Sequence, residues 1–233
     1  MSDSAKSKTA LIIGASRGLG RAMVAEYLQR GWRVVATVRG NHPGDLRDLA
    51  AASQGELLVE ELDINLPEQV ADLRARLAGD PIDLLFVNAG VTNGDFEISE
   101  VSTETFNEVM VTNALSPMRV VEALQDLVPH SGTIGVMSSH QGSVALNNNA
   151  GYEVYRASKS ALNQLMRSFA ARHADDPRTL LLLAPGWVRT ALGGPNAALS
   201  IDESVPKVVD TIEKEAGNGG LRFVDYRGNT VPW

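Results

Sequence analysis

The chain has 233 residues, 44% of them hydrophobic and 21% charged, a length that supports one well-buried core and leaves little room for a second. No apolar run reaches the roughly 18 to 20 residues of a membrane span, and the polar start "MSDSAKSK" lacks the apolar stretch of a secretory signal. The net charge of -7 argues against a nucleic-acid partner, and a sequence with no cysteine has neither disulfides nor thiolate metal sites, so a soluble cytoplasmic protein is expected.

Taken in chain order, short apolar runs alternate with longer segments of helical period. Strands are expected at 9–15 ("TALIIGA"), 33–38 ("RVVATV"), 56–62 ("ELLVEEL"), 83–90 ("DLLFVNAG"), 132–139 ("GTIGVMSS") and 179–186 ("TLLLLAPG"). Helices are expected between and after them at 18–30, 43–53, 67–78, 103–128, 155–174 and 203–216. The best of the strands are nearly continuous in Leu, Ile and Val, as strands buried on both faces are, and each helix is long enough for a crossover. The pattern predicts an α/β fold in a single domain over 1–233: a doubly wound, Rossmann-like parallel sheet with helices on both faces.

The loop after the first strand, "GASRGLG", places Gly14, Gly18 and Gly20 at the start of a helix. Glycines permit a tight turn and close backbone approach, and the helix N-terminus offers free N–H groups to a pyrophosphate, so the loop points to a dinucleotide. The second strand ends "ATVRG", with no carboxylate for an unphosphorylated ribose. Arg39 there, and Arg17 in the glycine loop, suit a 2′-phosphate, which favours NADP(H) while leaving NAD(H) open.

Farther along, "GYEVYRASKSALNQL" carries two tyrosines ahead of one lysine. Tyr155 and Lys159 are four apart on one helix face, and Tyr152 and Lys159 are seven apart on the same face if the helix has begun by then. Either tyrosine could serve as a proton donor by spacing alone. The histidines, His42, His130, His140 and His173, show no metal-ligand spacing, and no metal is expected.

Together these motifs resemble the short-chain dehydrogenases/reductases over essentially the whole chain. The likeness rests on "GASRGLG", "NAG" at 88–90, "VTNALSP" with Asn113, "VMSSHQGS" with Ser139, "YRASK" with Tyr155 and Lys159, and "PGWVRT" at 185–190. "GGPNAALSIDESV" and the ending "DYRGNTVPW" look like its carbonyl-reductase-like branch, that of sniffer- and C-factor-type proteins. The family uses Y-x3-K in ketone and alcohol enzymes and Y-x6-K in enoyl reductases. The unmodified glycine loop and the presence of Ser139 match the former, and Arg156, four residues after Tyr152, cannot exchange a proton at neutral pH. Tyr155 is therefore the expected acid.

The resemblance implies that Ser139 binds the substrate carbonyl, Tyr155 delivers the proton, Lys159 lowers the tyrosine's pKa and holds the nicotinamide ribose, and Asn113 holds a water leading to solvent. It implies cofactor contacts at Gly14, Ser16, Arg17, Gly18, Leu19, Gly20, Arg39, Asp63, Ile64, Asn88, Ala89 and Gly90, and again at Tyr155, Lys159, Pro185, Gly186, Val188 and Thr190. Departures from the pattern are the sixteen-residue spacing of Ser139 and Tyr155, and Ala184 where relatives often carry His. The segment 191–202 is short for a substrate lid and suggests an open pocket. The expected function is NADP-preferring, reversible reduction of aldehyde or ketone carbonyls. A carbon–carbon double-bond reductase and a non-catalytic NADP-binding sensor are the alternatives. The expected partner is a small carbonyl or alcohol, with neither nucleic acid nor membrane, and both monomer and homodimer remain open.

Overall fold

The computed structural model describes residues 7–40 and 46–233; residues 1–6 of the polar start, His42 and the first three residues of the helix expected over 43–53 lie outside them. Seven strands among the described residues form one sheet, all parallel, in the order β3-β2-β1-β4-β5-β6-β7. They are β1 (Thr9–Ile13), β2 (Arg33–Val38), β3 (Leu57–Glu61), β4 (Leu84–Val87), β5 (Thr133–Met137), β6 (Thr179–Ala184) and β7 (Gly220–Asp225). The order reverses between β1 and β4, and the loops that leave those two strands meet there, as a doubly wound sheet requires of its binding crevice.

The helices are α1 (Gly18–Gln29), α2 (Leu46–Ala52), α3 (Pro67–Arg76), α4 (Thr103–Met110), α5 (Ser116–Leu124), α6 (Glu153–Arg172) and α7 (Ile201–Glu215). The two-residue period of the strands sorts the core into two layers. Ala10, Ile12, Val34, Ala36 and Phe86 face Met23, Val24 and Tyr27 of α1 and Val205, Val208 and Ile212 of α7. Leu11, Ile13, Val35, Leu85 and Val87 face the other way, onto α3, α5 and Leu162, Met166 and Phe169 of α6. Residues on both faces of the central strands are thus removed from water, which is why those strands read as continuous apolar runs.

Two expectations change. The single helix expected over 103–128 is α4, a π-turn at Val111–Leu115, α5 and a 3₁₀ turn at Gln125–Leu127. The π-turn carries Asn113, fully buried. Strand β7 was not expected: it is an edge strand entered through Gly219 and Gly220, both at φ 67°, and only Phe223 and Val224 of it are buried.

Candidate active site

The loops at the C-terminal ends of β1, β4, β5 and β6 bring most of the predicted residues together. After β1, the main-chain N of Gly14 donates to Thr37 Oγ1 at 3.0 Å and that of Ala15 donates to the Thr37 carbonyl at 2.8 Å, so the end of β2 holds the loop's entry. Asn88 Nδ2 donates to the Gly14 carbonyl at 2.9 Å from the β4 side. A Cβ on Gly20 would lie 2.2 Å from that same carbonyl and 2.7 Å from Asn88 Nδ2, and one on Gly14 would lie 2.8 Å from Ala89. Gly18, at φ 58°, opens α1; its N-cap, Arg17, makes no side-chain cap, and the first turn holds no acid. This N-terminus therefore presents uncapped N–H groups and the positive end of the helix dipole beside a loop that has no room for a side chain at positions 14 and 20, features that suit a pyrophosphate.

The other predicted cofactor residues follow the C-terminal ends of β1, β2, β3 and β6. Arg17 and Arg39 are exposed, Ser16 and Leu19 half-buried. Ile64 is buried, and Asp63 is committed locally: its carboxylate accepts from the main-chain N of Asn65 at 2.9 Å and its own N donates to Gln69 Oε1 at 2.7 Å. Gly186, at φ 84°, passes between Leu199 and the Tyr226 ring, while Pro185 is held through its carbonyl by Ser204 Oγ at 2.7 Å. Val188 pairs with Leu199 in an isolated bridge, and Thr190 approaches the glycine loop, 3.7 Å from where a Cβ on Gly18 would stand. The short segment after it folds back on this loop, with Trp187 Nε1 donating to the Gly193 carbonyl at 2.8 Å and the Trp187 ring exposed.

Helix α6 packs on the sheet face opposite α1 and brings Lys159 to the loop after β4. Tyr155 is 8% exposed and Lys159 3%, one turn apart on the buried side. Tyr152 instead occupies the N-cap in a left-handed conformation, its ring 38% exposed. Burial pushes the Tyr155 phenol up to about 12, and hydrogen bonding from Ser139 opposes this. Burial pushes Lys159 down to about 8. Lys159 Nζ donates to the Met137 carbonyl at 2.9 Å and stands 5.8 Å from the centre of the Tyr155 ring. The expected lowering of the tyrosine by its lysine is therefore not seen: desolvation dominates both groups, and each moves toward its neutral form.

The Asn113 side chain is bound to the loop after β4 and to α6. Its Oδ1 accepts from the main-chain N of Val91 at 2.8 Å, and its Nδ2 donates to the Val91 carbonyl at 2.8 Å and to Ser158 Oγ at 3.0 Å. Ser158 Oγ in turn donates to the Tyr155 carbonyl at 2.7 Å. Both amide protons are spent on fixing the loop after β4 to α6, so a water here would have to meet the second lone pair of Oδ1 or the backbone of the π-turn. Gly90 faces both groups: a Cβ there would lie 3.3 Å from Asn113 Oδ1 and 3.5 Å from Lys159 Nζ.

Sequence reasoning missed the supporting residues Thr37, Ser158 and Asn163. Each is a buried polar side chain within a strand or helix, and that mismatch is the only signal the sequence carries for them. A cavity of about 890 Å³ lies elsewhere, lined by Pro67, Arg74, His130, His173 and Arg178 among others, and contains none of the predicted site residues. Among the described residues no three His, Cys, Asp or Glu side chains form a metal site, and no helix is long and apolar enough to cross a membrane.

The family model for short chain dehydrogenases matches residues 8–198, from the start of β1 through the loop that follows β6. The chain belongs to the short-chain dehydrogenase family. As a member of that family it is an oxidoreductase, and its solved relatives share the whole fold. A short-chain dehydrogenase/reductase from Burkholderia multivorans, solved with bound NADP, is 59% identical with a TM-score of 0.95, covering 98% of this chain and 100% of that one. A carbonyl reductase from Pseudomonas aeruginosa PAO1 in complex with NADP is 38% identical with a TM-score of 0.89, over 98% and 100%. The carbonyl reductase Sniffer of D. melanogaster is 27% identical with a TM-score of 0.91, again over 98% and 100%.

Proposed function

We propose that this protein is an NADP-preferring carbonyl reductase that converts aldehydes and ketones to alcohols, acting as a single dinucleotide-binding domain on a small-molecule substrate. The observation that carries this reading is the buried Tyr155 phenol, hydrogen-bonded by Ser139 and one helical turn from the buried Lys159, whose Nζ reaches the loop after β4 next to the glycine loop. The NADP complexes of the Burkholderia and Pseudomonas relatives support the cofactor, and the carbonyl reductases among the relatives support the reaction class.

In this reading Ser16, Gly18, Leu19 and Gly20 hold the pyrophosphate, with Gly14 shaping the loop. Arg17 and Arg39 pair with the 2′-phosphate, and the absence of a carboxylate at Thr37 and Val38 leaves nothing to repel it. Ile64, with the backbone of Asp63, borders the adenine, and Asn88, Ala89 and Gly90 form the floor. Lys159 holds ribose hydroxyls, and Pro185, Gly186, Val188 and Thr190 meet the nicotinamide end. Bound there, NADPH supplies a hydride.

The chain's own residues manage the charge and the proton. Ser139 donates a hydrogen bond to the substrate oxygen as negative charge develops on it. With its pKa at about 12, Tyr155 keeps its proton throughout the neutral range and stands ready as the acid; the bond broken is its O–H and the bond formed is the alcohol O–H. Lys159 in its ammonium form steadies the phenolate left behind.

The test is oxidation of NADPH and NADH by the purified protein against aldehydes, ketones, diketones and quinones, with one activated alkene included. Carbonyl turnover with kcat/KM for NADPH at least about tenfold above NADH is expected, a modest return for a charge-assisted pair. Turnover of the alkene alone, or equal use of the two cofactors, contradicts the proposal.

A further inference from the structure

Along α6, Tyr155, Lys159 and Asn163 follow one another at four-residue intervals and so share a face. Asn163 is only 4% exposed and sits beside Leu162 and near Met166, both in the core. An asparagine inside a helix is a poor helix former, and a buried one must find partners for its amide. Its partners here are specific. Asn163 Oδ1 accepts from Ser138 Oγ at 2.6 Å, and Asn163 Nδ2 donates to the Gly142 carbonyl at 3.1 Å.

Those two partners bracket Ser139. Ser138 precedes it directly, and Gly142 closes the 3₁₀ turn that follows it, donating its main-chain N to the Ser139 carbonyl at 2.9 Å. The turn is pressed onto α6: a Cβ on Gly142 would lie 3.0 Å from both Asn163 Nδ2 and Lys159 Cβ, and Ser160 Oγ donates to the same Gly142 carbonyl at 3.0 Å. Within the turn, Ser139 Oγ accepts from the main-chain N of Gln141 at 3.1 Å, which restricts where its own proton points. One amide thus ties the segments before and after Ser139 to the helix that carries Tyr155 and Lys159.

We propose that Asn163 is a positioning residue, which clamps the Ser138–Gly142 turn at both ends and thereby sets the Ser139 hydroxyl against the Tyr155 hydroxyl. The inference rests on the carbonyl-reductase reading above and adds a residue to it. Asn163 touches no reacting atom and acts through Ser139. A leucine of similar size fills the same space without holding the turn, and loose placement of a catalytic group by about 1 Å is enough to cost on the order of 100-fold in rate.

The test is a double-mutant cycle on Asn163→Leu and Ser139→Ala, reading kcat for a carbonyl that the wild type reduces and the Kd for NADPH. In the wild-type background Asn163→Leu lowers kcat by about 10- to 100-fold and leaves the NADPH Kd within about twofold. In the Ser139→Ala background it adds less than about a twofold loss, because the group it positions is already gone. An equal loss in both backgrounds, or an unchanged kcat, overturns the proposal. Should Asn163→Leu fail to fold, Ser138→Ala removes one end of the clamp by deleting a single hydroxyl; it is expected to lower kcat about fivefold in the wild-type background and not with Ser139→Ala. Failure of the underlying reading shows separately, as a wild-type protein without NADPH-dependent carbonyl reduction.

Discussion

The carboxylate of Asp95 accepts a hydrogen bond from the main-chain N of Tyr152 at 2.8 Å, holding Tyr152 at φ 53° and ψ 36° where α6 begins. A left-handed conformation costs an L-residue roughly 1 to 2 kcal/mol, which Asp95 and the packing of Gly151 against it offset. Tyr152→Gly removes that strain, so its melting temperature stays within a few degrees of wild type and its carbonyl-reducing rate within about fivefold. Asp95→Ala leaves the strain and removes its support, and thermal unfolding should show a loss of about 1 to 2 kcal/mol.

The burial of Lys159 makes stability depend on pH. Burial lowers the lysine's pKa from 10.5 to about 8. Between those values the unfolded chain holds the proton and the folded chain does not, so this group makes stability rise with pH across that window; below about 8 the buried ammonium carries its full cost, about 3 kcal/mol. Lys159→Met removes that cost and leaves the Met137 carbonyl without its donor. Melting curves should therefore show the variant more stable than wild type by about 1 to 2 kcal/mol at pH 7, with the advantage gone near the pKa of a free lysine, while its reductase activity is lost.

The arginines flanking the cradle predict cofactor choice. Arg39→Ala should lower kcat/KM for NADPH by about 10- to 100-fold, the value of a hydrogen bond between charged groups, and leave NADH within about twofold. Arg17→Ala should act in the same sense. Equal losses for the two cofactors would place neither guanidinium on the 2′-phosphate.

Gly20 is required by contact as well as by its place in the loop. An added methyl would meet the Gly14 carbonyl at 2.2 Å, a backbone atom that the Asn88 amide also holds. Gly20→Ala should cost about 1 to 3 kcal/mol by denaturant unfolding and weaken NADPH binding in titration, because the loop must shift to admit the methyl. Gly31→Ala is a useful contrast: a Cβ there meets nothing within 4 Å, so any cost comes from its φ of 77° alone.

The five inner strands of the sheet were legible because a strand buried on both faces leaves an unbroken apolar run, as "ALII" and "LLLL" do, and the edge strand β3, with only Leu57 buried, was legible from the shorter run in "ELLVEEL". Strand β7 was not, since an edge strand entered through two glycines and carrying Arg222 has no such run. The π-turn at Asn113 has no side-chain signature of its own, so a continuous helix was the natural expectation. The Tyr155, Lys159 and Ser139 set was legible through spacing and motif. The directions of their pKa shifts were not, because spacing brings a lysine near a tyrosine but says nothing of how far both are removed from water. The roles of Thr37, Ser158 and Asn163 were likewise hidden, since their partners lie 20 or more residues away in sequence or, for Ser158, depend on the π-turn.

The most direct test of the account compares NADPH oxidation by the wild type, Tyr155→Phe and Tyr152→Phe with a single reducible carbonyl. Tyr155→Phe should fall by at least about 100-fold, the usual contribution of a positioned acid, and Tyr152→Phe should stay within about fivefold of wild type. An active Tyr155→Phe enzyme, or loss of activity in Tyr152→Phe alone, would contradict it.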